Sequence, residues 1–213
     1  MGKGVSMGKI KVMFVDDDPD WREGIYSFFD GHSQIDLVSC VSTVEECFTT
    51  LSTESVDIII MDIMLSQYDA SGLDATLDIT TQFPHIKVIM LSSLDQDDEI
   101  FNEAFLNGAY EFVYKQDFEQ LPGSIVNAME NKSHKFGERL RKLVFEKKKG
   151  LLSKGDIEIL QMILKGKTQT EISEELCISL SAVKKHISRI MKKFAWQRTS
   201  KELAEKCSKW GLL

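Results

Sequence analysis

Five polar residues stand at the ends of apolar runs, and their types together can carry phosphoryl chemistry. Asp16 and Asp17 follow the run Ile10 to Val15, and Asp62 follows Ile58-Ile59-Ile60-Met61. Ser92 follows Ile86 to Leu91, and Lys115 follows Tyr110 to Tyr114. Three carboxylates brought to one point repel, and a hard divalent cation with oxygen ligands relieves them. Mg2+ fits, because it keeps several waters and takes few protein carboxylates. Asp62 is then a carboxylate nucleophile toward phosphorus. Mg2+ and the Lys115 ammonium would neutralise charge developing on the phosphoryl oxygens, and the Ser92 hydroxyl would hydrogen-bond one of them. No side chain in the set is a strong base for water activation, so a fairly long-lived acyl phosphate is expected. An Asp after an apolar run is ordinarily a helix cap or turn residue. Only the partners lift Asp62 above that.

These residues meet only if the runs are parallel strands of one sheet. Ile58 to Met61 is short, continuous and β-branched, as in a strand buried on both faces. Around it the pattern alternates. Pro19 suits the first turn of a helix carrying Trp21, Ile25, Phe28 and Phe29 on one face. Ile35 to Val41 reads as a second strand. Thr43 with Glu46 reads as a capping box opening a helix to about Leu51. Further helices are expected from Gly72 to Phe83, Asp95 to Asn107, and about Glu119 to Asn131. Alternating β and α elements predict a doubly wound parallel α/β fold, here five-stranded and flavodoxin-like with order 2-1-3-4-5. That order brings Asp16, Asp17, Asp62, Ser92 and Lys115 to one edge, where the strands end.

The second half differs in charge. Residues 1–130 hold 24 Asp/Glu against 6 Lys/Arg, a net −18, whereas residues 131–213 hold 9 against 20, a net +11. An acidic body joined to a basic tail suggests two domains, the basic one facing a polyanion. The expected division is 8–130, a linker over 131–150, and an all-α four-helix domain over 151–213. The linker has Phe136, Leu140, Leu143 and Val144 at helical spacing. Ser153 caps a helix with Ile157, Leu160, Ile163 and Leu164. A shorter helix starts near Thr168, a third at Ser179 or Ser181, and a fourth near Thr199. The third carries an apolar stripe of Val183, Ile187, Ile190, Met191 and Phe194, opposite Ser181, Lys184, Lys185, Ser188 and Lys192. A short helix, a tight connection and a basic helix match helix-turn-helix geometry. Lys184 and Lys185 are candidates for guanine O6/N7, and Arg189, Lys192 and Lys193 for phosphates. Thr168 and Gln169, opening the shorter helix, join the candidate DNA contacts. No apolar run nears the ~20 residues of a membrane span, and Met1 to Lys9 lacks a secretory signal's apolar core. Met7-Gly8-Lys9 reads like a second start, with Met1 to Ser6 as a leader or cloning remnant. With Cys40, Cys47, Cys177 and Cys207 in no CxxC pair, the expectation is a cytoplasmic protein with reduced thiols.

Residues up to 130 resemble the receiver domain of bacterial two-component response regulators, on Asp16-Asp17, Asp62, Ser92, Phe112 and Lys115. The resemblance implies that Asp62 accepts phosphate from a sensor histidine kinase. It implies Mg2+ on Asp17, Asp62 and the Met64 carbonyl beside Asp16, and a switch through Ser92 and Phe112. The departures are Asp62-Ile63-Met64-Leu65-Ser66, which has no proline, a longer loop before Gly72, and Gln116 after Lys115. Residues 151–210 resemble the LuxR-type output domain of the NarL/FixJ class. The matching residues are Leu152-Ser153, Glu158, Leu160, Gly166, Glu171-Ile172, Leu176, Ile178, Ser179 and Val183-Lys184-Lys185-His186. Gly155 and Ala195-Trp196 depart from that pattern. The implied protein is a transcriptional regulator that binds double-stranded promoter DNA, dimerises on phosphorylation, and is no enzyme beyond slow autodephosphorylation. One alternative is a phosphorylation-independent regulator acting through protein contacts. Another is a haloacid dehalogenase-like phosphatase read from Phe14-Val15-Asp16-Asp17-Asp18, with Asp16 as nucleophile and Asp18 as acid/base. The second leaves Asp62 and the basic tail without a role.

Overall fold

The computed structural model describes residues 8–65, 72–93, 98–130 and 134–213, with side chains from 137 onward in the last stretch. The leader, the Ser66 loop, the helix start at Asp95 and the residue Asn131 lie outside the described residues. Strands β1 (Ile10–Val15), β2 (Ile35–Val41), β3 (Ile58–Asp62), β4 (Lys87–Ser92) and β5 (Glu111–Tyr114) form one sheet. Its order is β2-β1-β3-β4-β5 and every pairing is parallel. Helices α1 (Pro19–Phe29), α2 (Val44–Leu51), α3 (Gly72–Gln82) and α4 (Asp98–Leu106) make the crossovers, and α5 (Leu121–Met129) follows the last strand.

Strand alternation divides the core in two. Met13, Val15, Ile59, Met61, Val88 and Met90 pack on one face with α3 residues such as Ile79. Val12, Phe14, Ile58, Ile60, Ile89 and Leu91 pack on the other with Ile25 of α1 and Ile125 of α5. All of β3 is buried, which is why its sequence shows no polar alternation. Each such isoleucine contributes about 2 kcal/mol of burial free energy.

Two local readings need correction. Thr43 caps α2 by accepting from the Glu46 N–H, but Glu46 reaches the Ser42 N–H and hydroxyl instead of closing a box on Thr43. The helix α5 starts later than Glu119, because Lys115–Gln120 forms a 3-10 turn and Pro122 occupies the first turn of the helix. Proline has no N–H to donate, so it fits there and not further in.

By internal contacts the chain divides between Arg141 and Lys142, within α6 (His134–Lys149). The expected linker is therefore helical for most of its length. Val144 is buried on it and Leu143 is exposed. The second unit holds α7 (Lys154–Leu164), α8 (Gln169–Glu175), α9 (Leu180–Lys193) and α10 (Ser200–Lys209), capped by Ser153, Thr168, Ser179 and Thr199. Helix α7 buries Ile159 and Met162 beside Leu160 and Ile163, where the sequence reading had Ile157 and Leu164. No helix among the described residues is long and apolar enough to cross a membrane.

Ala195, which ends α9, has φ 50°, a left-handed conformation that suits glycine better than alanine. The turn is held by the Trp196 Nε1–H, which donates to the Thr199 carbonyl at 3.0 Å, and by the Lys206 ammonium 5.1 Å over the Trp196 ring. Ala195→Gly is expected to stabilise the second unit by about 0.5–1 kcal/mol. Urea unfolding followed by tryptophan fluorescence measures it.

Candidate functional site

The sheet register delivers the predicted residues to one edge. Asp62 ends β3 opposite Leu91, and Ser92 ends β4 opposite Tyr114, the residue before Lys115. Asp16 follows β1, its N–H held by the Val41 carbonyl at 3.1 Å. Asp16, Asp62, Ser92 and Lys115 are all buried, while Asp17 is exposed. The Lys115 ammonium lies 2.7 Å from Asp16 Oδ2 and 3.1 Å from Asp62 Oδ2. Asp16, Asp17 and Asp62 each offer a carboxylate oxygen within 4.8 Å of the others.

The electrostatics follow from that geometry. Burial pushes the Asp62 carboxyl up, Asp16 adds to the rise, and Lys115 and the Met64 N–H pull the other way without prevailing. Burial opposes the Lys115 charge, but the pairings with Asp16 and Asp62 outweigh it and hold the ammonium above its ordinary value. One lysine is thus set against three carboxylates. Asp16 Oδ2 is within ion-pair distance of Lys115, yet this buried atom accepts no well-directed hydrogen bond. An unsatisfied buried carboxylate oxygen among other carboxylates fits a hard cation.

The floor of the site is close-packed. A Cβ on Gly72 would lie 1.8 Å from the Asp62 carbonyl oxygen, so any side chain there displaces the backbone of Asp62. The Gly72 N–H donates to the Ile63 carbonyl at 2.9 Å. Phe112, on β5, packs against Phe101 of α4 at 5.2 Å and Tyr114 at 5.3 Å between centroids. Asp18, the acid/base of the phosphatase alternative, caps α1 by accepting from the Asp20 N–H at 2.9 Å.

In the second unit, α8 and α9 are joined by a tight turn in which Cys177 has φ 52° and the Ser173 hydroxyl donates to the Ile178 carbonyl at 2.6 Å. Val183 and Ile190 are buried while Ser181, Lys184, Lys185, Ser188 and Lys192 are exposed. Lys184, Lys185 and Lys192 make no ion pair among the described residues. At α8, the Thr168 hydroxyl and N–H are both engaged by Glu171 in a capping box, and Gln169 is exposed.

Comparison with known families agrees with both halves. Residues 12–125 match the response regulator receiver domain, and residues 150–204 match the bacterial regulatory proteins of the luxR family. This chain belongs to the response regulators. It is 30% identical over 194 residues to the response regulator protein VraR of Staphylococcus epidermidis, covering 88% of this chain and 91% of that one. VraR of Staphylococcus aureus matches at the same identity and coverage. Among solved structures, an RcsB–DNA complex superposes with TM-score 0.55 at 18% identity, covering 93% of this chain and 98% of that one. RcsB of Salmonella enterica serovar Typhimurium bound to promoter P1flhDC gives 0.54 at 18% identity, over 97% of this chain and all of that one. At such identities the structural likeness shows the fold. The regulator therefore joins a receiver to a LuxR-type DNA-binding domain, which leaves the phosphatase alternative without support.

Two features of this response regulator escape a reading by residue type. Asp156, in the first turn of α7, is wholly buried. It closes a capping box with Ser153 and receives the Arg189 guanidinium at 2.7 Å and the Lys193 ammonium at 3.1 Å. Lys193 also donates to the Leu151 carbonyl at 2.6 Å. Arg189 and Lys193, assigned to phosphates from sequence, are thus engaged inside the domain and tie α9 to α7. His186 Nδ1 lies 2.8 Å from Arg189 Nη2 and 3.3 Å from Asp156 Oδ1. The other missed residue is Trp21, whose ring lies 4.9 Å from the Lys115 ammonium.

Proposed function

We propose that Asp62 accepts a phosphoryl group from the phosphohistidine of a sensor histidine kinase, and that this controls sequence-specific binding of α9 to promoter DNA. The observation that carries the reading is the convergence of the Asp16, Asp17 and Asp62 carboxylates at the strand ends, with Lys115 ion-paired to Asp16 and Asp62. An Asp62 oxygen attacks phosphorus as the phosphorus–nitrogen bond of the donor imidazole breaks. Asp16, Asp17, Asp62 and the Met64 carbonyl are the groups to hold Mg2+, which when bound supplies charge neutralisation at the phosphoryl oxygens. Lys115 neutralises a further oxygen, Ser92 donates a hydrogen bond to it, and Phe112 changes packing in response. Burial and the neighbouring Asp16 disfavour the Asp62 charge, which a bound cation would offset. The complete acidic set and Lys115 speak against a phosphorylation-independent regulator.

The domain assignment is a receiver over 8–130, a linker over 131–150 and the DNA-binding domain over 151–213, in a cytoplasmic protein that forms a homodimer when phosphorylated. The RcsB relatives include one described as two dimers bound to two parallel DNAs, which supports a two-fold DNA site. In the helix-turn-helix, Lys184 and Lys185 read bases, with Ser181 and Ser188 beside them. Lys192, Thr168 and Gln169 contact the phosphate backbone. Arg189 acts chiefly by orienting α9 on Asp156.

Lys184→Ala and Lys185→Ala test the reading helix. Each is expected to weaken binding to the cognate site by about 1–3 kcal/mol and to relax sequence preference. Footprinting on genomic fragments measures both. Unchanged affinity in both variants puts base reading on another element.

A further inference from the structure

We propose that Trp21 is a positioning residue of the phosphoacceptor site, its indole face fixing the Lys115 ammonium against Asp16 and Asp62. The inference rests on Asp62 being the phosphoacceptor. Lys115 is 8% exposed, and among the described residues its ammonium has Asp16 Oδ2, Asp62 Oδ2 and the Trp21 ring, at 4.9 Å, as close neighbours. The carboxylates attract the ammonium from the strand ends β1 and β3, and the ring comes from α1. A flexible lysine stem leaves an ammonium several positions between two carboxylates, and an aromatic face reduces them.

Trp21 is itself held by the segment that carries the lysine. Its ring meets Phe118 edge-on, at 5.9 Å and 83°, and Phe118 meets Phe28 at 5.1 Å. Phe118 lies in the 3-10 turn that begins at Lys115. Trp21 therefore touches the ammonium and clasps the turn from which it extends. It stands five residues after Asp16 on the same stretch, so α1 aligns an acid and the wall of its counter-ion together. The Arg22 guanidinium secures that stretch by donating to the Asp16 carbonyl at 2.7 Å. When Asp62 carries a phosphoryl group, Lys115 must turn from carboxylate to phosphoryl oxygen, and the ring is the fixed point it turns on.

The test uses the full chain with acetyl phosphate as donor, so that kinase docking plays no part. Trp21→Leu is expected to label about tenfold more slowly, the loss of a desolvated cation–π contact. Trp21→Phe keeps an aromatic face and is expected to recover most of that rate. A second readout is tryptophan fluorescence on adding beryllium fluoride with Mg2+. The wild-type signal should change as Lys115 moves, and the change should vanish in Trp21→Phe, whose remaining indoles are Trp196 and Trp210. A wild-type labelling rate in Trp21→Leu, equal slowing in both variants, or the same fluorescence change in Trp21→Phe overturns the proposal. Failure of the wild-type chain to label on Asp62 instead overturns the phosphoacceptor reading beneath it.

Discussion

Asp62→Asn is expected to reduce labelling by acetyl phosphate to background while leaving the fold intact. An amide is no nucleophile toward phosphorus, and among the described residues no other carboxylate at the edge is placed to substitute. Asp16 is buried against Lys115, and Asp17 lies in the solvent-exposed part of the cluster. The substitution keeps side-chain shape and removes one of three mutually repelling charges. Burial and Asp16 already disfavour the Asp62 carboxylate, so its neutralisation relieves repulsion, and Lys115 retains Asp16 as partner. The melting temperature should therefore hold. Mass spectrometry of the labelled chain is the check. Phosphate found on Asp16 in either protein contradicts the assignment.

The second large effect is expected from Asp156→Ala. Its carboxylate is fully buried and is the meeting point of Arg189, Lys193 and the N–H of Ser153. Losing several charge-assisted hydrogen bonds around one buried group should destabilise the DNA-binding domain by about 2–4 kcal/mol. The two domains are expected to unfold separately, so this shift belongs to one of two transitions. DNA affinity should fall as well, because α9 loses its tie to α7. Burial alone would raise the Asp156 pKa, but the bonds from Arg189, Ser153 and Lys193 outweigh it and hold the carboxyl below its ordinary range. A depressed folded value stabilises above the unfolded value of about 4 and is lost as pH falls through the folded one. The difference between wild type and variant should then be constant from pH 8 to about 4 and shrink only below that. A variant as stable as wild type at pH 7 would contradict this role.

The two kinds of site residue differ in how far sequence reveals them. Asp62, Ser92 and Lys115 were legible because each terminates an apolar run, and parallel strands end at a common edge. Their convergence needs only element order. Trp21 and Asp156 were hidden because each also satisfies a local rule. Trp21 falls on the apolar stripe of an amphipathic helix, and Asp156 reads as the acid of a helix first turn. What distinguishes them is a partner more than 30 residues away, Lys115 for one and Arg189 for the other. The tie made by Arg189 was hidden for the same reason: on its helix it belongs to a basic face, and only the packing of α7 reveals a buried carboxylate beneath. Local errors had local causes. Glu46 found Ser42 in place of Thr43, and the 3-10 turn after Lys115 postponed α5 to Leu121. Neither alters the site.

Phosphorylation of Asp62 and DNA binding by α9 are joined here as cause and effect, and one titration tests that link. The full-length regulator is incubated with and without acetyl phosphate and Mg2+, and its affinity for promoter fragments is measured in wild type and Asp62→Asn. Tightening of at least about tenfold in wild type, with none in the variant, is the expected result. Equal affinity of phosphorylated and unphosphorylated wild type would contradict it.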